Sequence, residues 1–370
     1  MDAQRPSHGE LARLFLHLGL TSVGGPAAHI ANMHEEVVVR RKWISAAEFL
    51  DMVAATNLIP GPNSTEMAIQ IGCRRGGHVG LLVAGACFIT PAAVLVGGIA
   101  WFYVRYGALP QVLDAFYAIK PIVIVIILKA VLDLARTAIK STFLAILALG
   151  AAAANLAGFS ELPVLFLSGF AALGARKLRG AAPAIVLAPA AAAGWANAGA
   201  WPLFVYFLKV GGALCGSGYV LIALLQTDLV DRMGWITEQQ LLDAVAVGQI
   251  TPGPIFTTAT FIGYLLMGFW GAVLATIGVF IPSFLLVAAT QPLVRRARQI
   301  VWMQPFLDGI NAAAVALMLM VAWQLSRAAI FDLPTAAIAG VSGVLIAFFR
   351  VRAAWLVLAA LAIGLLWGLF

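Results

Sequence analysis

The stretch Ile59-Pro60-Gly61-Pro62-Asn63-Ser64-Thr65-Glu66 constrains this chain more than any other. It returns as Thr251-Pro252-Gly253-Pro254-Ile255-Phe256-Thr257-Thr258. Each proline removes an N–H and crowds the turn before it, and the glycine adds backbone freedom, so neither copy suits a continuous helix. Both copies nevertheless lie between apolar, helix-like segments. In a membrane, broken backbone is tolerated only where protein or a water-filled cavity surrounds it. Asn63-Ser64-Thr65 then suit the start of a new helix with a proline at its first turn. A helix start exposed at such a break presents free N–H groups and the positive end of its dipole, which favours an anion.

Composition supports the membrane setting. Hydrophobic residues make up 62% of the 370 and charged ones only 11%, against about 25% charged in a soluble domain. The mean hydropathy is +0.97. Apolar runs at 79–104, 122–134, 271–289 and 353–370 approach the ~20 residues of a spanning helix. The net charge of +7 falls in short clusters between these runs, a pattern of membrane orientation rather than of nucleic-acid binding. Cys73, Cys87 and Cys215 have no metal or redox spacing and are expected as buried thiols. No apolar segment directly follows a basic start, so no cleavable signal is expected.

Adding 192 to the numbering lays the second half over the first without a gap from Phe15 to about Gly76. Phe15 meets Phe207, Gly19 meets Gly211, Arg40 meets Arg232, Trp43-Ile44 meet Trp235-Ile236, and Asp51 meets Asp243. After a one-residue deletion Gly80 meets Gly271 and Pro91 meets Pro282. The match is too long for coincidence. The chain therefore reads as two homologous units, 1–180 and 201–370, with 181–200 as a linker or span.

Charge bias orients them. Arg40-Arg41-Lys42 and Arg74-Arg75 flank the first motif, and their counterparts in the second half are nearly bare. One span later the bias reverses, with only Arg105 in the first half against Arg295, Arg296 and Arg298 in the second. The positive-inside rule then gives opposite orientations, the inverted-topology repeat common among secondary transporters. With basic clusters on both sides, the 45–59 and 63–72 arms suit a re-entrant helical hairpin broken at Pro-Gly-Pro, and each arm is too short to span. Thr21-Ser22-Val23-Gly24-Gly25-Pro26 is expected as the tip of a similar hairpin, repeated weakly at 214–218. Crossings are expected at 79–104, 111–134, 141–158, 162–175 and 182–198, then at 271–291, 304–326, 333–349 and 353–370. The fold class is thus an all-α polytopic membrane protein.

Gly24-Gly25-Pro26-Ala27-Ala28-His29, Arg40-Arg41-Lys42-Trp43, Pro60-Gly61-Pro62-Asn63-Ser64-Thr65, Phe88-Ile89-Thr90-Pro91 and Ile119-Lys120-Pro121 resemble the chromate ion transporter (CHR) family in its two-half form. The resemblance covers essentially the whole chain. It implies transport of chromate, with sulfate as the alternative, by a carrier linked to the proton motive force, in a bacterial inner membrane. It implies no cofactor, no metal and no nucleic acid, and allows a homodimer. The second copy departs from the pattern: Gly216-Ser217-Gly218 lacks the proline, and Ile255-Phe256 replace Asn-Ser.

The expected substrate-binding residues are Gly24, Gly25, Pro26, Pro60, Gly61, Pro62, Asn63, Ser64, Thr65, Lys120, Pro252, Gly253, Pro254, Thr257 and Thr258. Two opposed tips, at roughly half a positive charge each, and one lysine would offset most of a dianion. Each residue has a plainer reading. Pro-Gly-Pro serves also as a kink, Asn63, Ser64 and Thr65 as caps, and Lys120 as a side chain reaching for the interface. His29 and Glu66 are candidates for a coupling proton. For Glu66 completion of the helix cap is the expectation, and for His29 a structural role is equally open. Asp51 and Asp243 are expected to make structural hydrogen bonds across the hairpins. A carrier working by alternating access is preferred over a passive anion channel. A membrane-embedded enzyme would need clustered Asp, Glu or His, and here the acids are scattered.

Overall fold

The computed structural model describes residues 6–22, 25–56, 59–107, 109–177, 199–214, 220–290, 303–349, 351 and 353–367, and every element among them is helical. The first half contains α1 (His8–Thr21), α2 (Pro26–His34), α3 (Ala46–Thr56), α4 (Asn63–Tyr106), α5 (Pro110–Ala138), α6 (Thr142–Leu156) and α7 (Glu161–Lys177). The second contains α8 (Ala200–Ala213), α9 (Val220–Leu225), α10 (Glu238–Ile250), α11 (Thr258–Thr290), α12 (Met303–Ala329), α13 (Leu333–Ala347) and α14 (Ala353–Trp367). The segment expected at 182–198 and the tip residue Gly24 lie outside the described residues, as does most of 214–218.

Among the described residues four stretches are long and apolar enough to cross a membrane: Asn63–Tyr106, Val112–Ala138, Ile255–Thr290 and Met303–Ala329. Large apolar side chains such as Trp101, Leu149, Trp201, Trp270, Trp323 and Leu333 stand on the outer surface. A soluble chain rarely leaves that much apolar area in water, so this is a multi-pass membrane protein facing lipid. Inside, Phe15 and its counterpart Phe207 are both fully buried.

The repeat is visible in the backbone. α2 runs into a π-helical turn at Glu35–Arg40, and α9 into another at Gln226–Arg232. Trp43 N–H then reaches Val37 C=O at 2.7 Å, and Trp235 N–H reaches Leu229 C=O at 2.8 Å. Lys42, the one non-glycine with positive φ among the described residues, takes φ 52°, where the second half has Gly234 at 60°. The helices before the two breaks start alike. Ser45 Oγ accepts from Glu48 N–H at 3.2 Å, and Thr237 Oγ1 from Gln240 N–H at 3.1 Å. Such caps stabilise a helix by about 1 kcal/mol. Only the second closes the full box; in the first, Glu48 pairs with Arg74 instead and ties α3 to α4.

One expectation about the repeat is corrected. α4 and α11 both kink at a glycine with the same backbone angles, Gly77 (62°, −153°) and Gly268 (61°, −149°). These are 191 residues apart, as are Gly72 and Gly263, which close on Gly80 C=O and Gly271 C=O in the same way, so the deletion falls before Gly72 rather than after Gly76. The reason is the 3-10 turn Ile255–Thr257 that opens the second copy. Its residues rise about 0.5 Å more each than α-helical ones. Three of them make up about the 1.5 Å of the missing residue.

α1 lies on α4 and α8 on α11, and α4 packs directly on α11 across the two halves. α5 carries α10, α12, α13 and α14. Cys73 and Cys87 are half-buried rather than fully buried, and Cys215 lies outside the described residues.

Candidate functional site

Both Pro-Gly-Pro stretches are non-helical, and each glycine takes a positive φ, 141° at Gly61 and 99° at Gly253. The two breaks hold each other's halves. Gly61 N–H donates to Leu214 C=O at 2.7 Å, and Gly253 N–H to Ser22 C=O at 3.0 Å. Leu214 and Ser22 are counterparts in the repeat, so the exchange is reciprocal, a pseudo-two-fold link at the centre of the chain.

α4 starts immediately after the first break. Pro62 is its N-cap, and no side chain caps it. Pro62 C=O accepts from Thr65 and Glu66 N–H at 2.8 and 3.0 Å. Asn63 and Ser64 are therefore the first two helical residues rather than caps. Glu66 does not complete a cap either: it is fully buried, and neither carboxylate oxygen has a hydrogen-bond partner among the described residues. At the second break Thr257 Oγ1 donates to Pro254 C=O at 2.9 Å and Thr258 Oγ1 to Ile255 C=O at 2.8 Å. Both hydroxyl protons are thereby committed to their own turn. α2 begins with Gly25 as N-cap and Pro26 as its first residue.

Three of these starts meet in one narrow cavity. It is lined by Gly25, Pro26 and His29 of α2, by Pro62, Asn63 and Ser64 at the start of α4, and by Gly253, Pro254, Ile255 and Phe256 at the second break. Gly248 and Gln249, in the last turn of α10, complete it. That turn brings helical carbonyls of the opposite polarity. One of them, Val247 C=O, is occupied by Thr251 N–H and Oγ1 at 3.1 and 2.9 Å. His29 is buried with its ring edge against Phe88. Pro60, Gly61, Thr65, Lys120, Pro252, Thr257 and Thr258 are not among the lining residues.

Lys120 is placed elsewhere. Its Nζ lies 3.2 Å from Asp243 Oδ1 and donates to Gln239 Oε1 at 2.7 Å. Tyr103 OH donates to Asp243 Oδ2 at 2.7 Å, and Gln239 Nε2 to Ala328 C=O at 3.1 Å. The lysine's partner is thus α10 of the other half. Asp243 bonds Tyr103 near the end of α4 and pairs with Lys120 of α5, rather than with a partner in the first hairpin's arms.

Gln249 was not singled out from the sequence. It lines the cavity, and its Nε2 is a buried donor with no partner among the described residues. Nothing in its neighbourhood marks it except its distance from Pro-Gly-Pro; the signal was a polar residue two positions before the break in an otherwise apolar turn.

The family model described as Chromate transporter matches the chain twice, over residues 9–175 and 201–365. A chromate transport protein of Cupriavidus metallidurans is 32% identical over 96% of this chain and 92% of its own length. A probable chromate transport protein of Synechococcus elongatus is 29% identical over 88% of this chain and 86% of its own. A chromate transport protein of Pseudomonas aeruginosa is 30% identical over 84% and 79%. No solved structure matches the chain.

Proposed function

This chain belongs to the chromate transporter family, and from that premise we propose that it moves chromate across the membrane as a secondary carrier, holding the oxyanion in the cavity between the two breaks. The observation that carries this reading is the convergence of three helix starts, drawn from both halves, on one cavity. A dianion pays several kcal/mol per charge to leave water. Each helix start offers roughly half a positive charge and free N–H groups, so three of them offset most of two negative charges without any lysine. Asn63, Ser64 and Gln249 add side-chain donors. A cavity between reciprocally bonded halves can open to either face by rocking one half against the other.

The direction follows from charge. Moving one elementary charge through 100 mV is worth about 2.3 kcal/mol, so a dianion leaving a negative interior is driven outward by the potential component of the proton motive force. We read the transport as efflux across a bacterial inner membrane on that basis. Sulfate has the same charge and shape, so it is the expected competitor. Proteoliposomes with imposed potential and pH gradients, loaded with radiolabelled chromate or sulfate, test this. The expected result is saturable, potential-driven flux. A steady, non-saturating current in planar bilayers would mean a channel instead.

Two further expectations belong here. Asn63→Ala, Ser64→Ala and Gln249→Ala should each weaken oxyanion binding by about 1–3 kcal/mol, the range for a hydrogen bond to a charged group. Ile255→Ala should act through packing and stability. Equal affinity losses at Ile255 and Ser64 in stable, monodisperse protein would contradict that division. The inverted, re-entrant topology is tested by labelling. Cysteines at 41 and 75 should react only from the cytoplasm, and cysteines at 231 and 268 only from outside. Reaction of 41 and 75 from opposite faces would rule out the hairpin.

A further inference from the structure

Just behind the first tip, polar groups are buried without partners. Thr65, Glu66 and Gln70 of α4 and Ser283 of α11 are all fully buried, and their side-chain oxygens have no hydrogen-bond partner among the described residues. Ser283 belongs to the other half of the chain. Glu66 and Gln70, four apart, share one face of α4. Glu66 Oε1 and Ser283 Oγ converge on Gly61: a Cβ placed there would collide with both. The carboxyl, the hydroxyl and the break therefore meet at one point, where Gly61 N–H also crosses to Leu214 C=O.

An ionised carboxylate without a partner is not sustained in such surroundings; it takes up a proton or a cation. α11, packed directly against α4, has no Asp, Glu, His, Lys or Arg, and its titratable side chain is Tyr264. α2 brings His29 and His34, α3 brings Asp51 and Glu48, and Glu48 is paired with Arg74. α1 brings His8, Glu10, Arg13 and His17, and α10 brings Glu238 and Asp243, the latter held by Lys120. Among the described residues no group of three or more His, Cys, Asp or Glu side chains is placed to hold a metal ion, so a proton is the simpler occupant.

We propose that Glu66, with Ser283 and Gln70, is a proton-binding site linked to the oxyanion cavity. Above the pH at which the carboxyl of the empty protein ionises, it takes a proton from water when the oxyanion occupies the tip, and returns it when the oxyanion leaves. This rests on the reading of the cavity as the oxyanion site. Its physical basis is position: Glu66 stands one turn beyond Asn63, so its negative charge opposes a dianion at the start of α4, and protonation removes that opposition. Linkage is reciprocal: oxyanion binding raises the proton affinity of Glu66 as much as the proton raises oxyanion affinity. The cargo becomes one dianion and one proton. Its net charge of −1 is still driven outward by the membrane potential, with half the force.

The test uses purified full-length protein, with chromate in weakly buffered alkaline solution and a pH-indicating dye. Wild type should take up about one proton per chromate bound, and its affinity should fall about tenfold per pH unit where the carboxyl ionises, the slope of one linked proton. Glu66→Gln, close in shape to the protonated acid, should bind chromate with no proton uptake and a flat pH profile. Ser283→Ala removes the hydroxyl that faces the carboxyl from the other half, leaving the ionised form in less polar surroundings, so the midpoint should move to higher pH. If Ser64→Ala binds chromate as tightly as wild type, the cavity reading falls and the linkage falls with it. If Ser64→Ala weakens binding while wild type takes up no proton, or Glu66→Gln still does, the linkage alone is overturned. A sodium dependence in place of the pH dependence also overturns it.

Discussion

Gly253→Ala is expected to destabilise the protein by about 2–6 kcal/mol, and Gly61→Ala by an amount toward the lower end of that range. Two effects add. Each glycine has a positive φ that an L side chain rarely adopts, a strain of about 1–3 kcal/mol. Each also lacks space for a methyl group, and overpacking costs about another 1–3 kcal/mol. The second effect separates the two positions. At Gly61 the colliding atoms are the ends of the Glu66 and Ser283 side chains, which can turn away. At Gly253 the obstacle is Ala92 Cβ at 2.5 Å, which cannot rotate aside. Ala92→Gly should therefore restore part of the loss in Gly253→Ala, by relieving the collision and not the strain. The measurement is thermal unfolding of monodisperse protein for the four members of that double-mutant cycle. Strict additivity would show that Ala92 is not the obstacle.

The positions of the breaks were legible because proline and glycine act locally. The same holds for Ser45 and Thr237, whose caps need only a partner three residues on. The duplication was legible from Phe15/Phe207 and Trp43/Trp235, since repeated residues need no knowledge of contacts. Its register was not, because a 3-10 turn and an α turn of different residue count cover the same rise. Tertiary pairing was also hidden. No spacing reveals that Gly61 bonds Leu214, or that Ser283 stands beside Glu66. For the same reason Glu66 read as a cap, a local role, although its surroundings are set by the opposite half. Gln249 escaped because glutamine carries no charge to make it conspicuous in an apolar stretch.

The lysine shows the same limit with the largest energetic consequence. Lys120 and Asp243 were both visible as charges that need partners, but 123 positions separate them and only the fold joins them. The side chains are 16% and 5% exposed. Removing one member of a buried pair costs about 3–5 kcal/mol, because the other is left charged and unmatched. Lys120→Gln is therefore expected to destabilise the protein by that amount, leaving Asp243 with Tyr103 alone. Adding Asp243→Asn should recover most of the loss, since the remaining amide and phenol groups can still hydrogen-bond as neutral partners. Oxyanion affinity should follow stability, because Asp243 lies on α10 and the last turn of that helix brings Gly248 and Gln249 to the cavity. The double variant should then bind chromate nearly as wild type does. A lysine that held the dianion directly would behave otherwise: Lys120→Gln would lose affinity at unchanged stability, and Asp243→Asn would not restore that affinity. Unfolding and chromate binding measured on the same three variants separate the two roles.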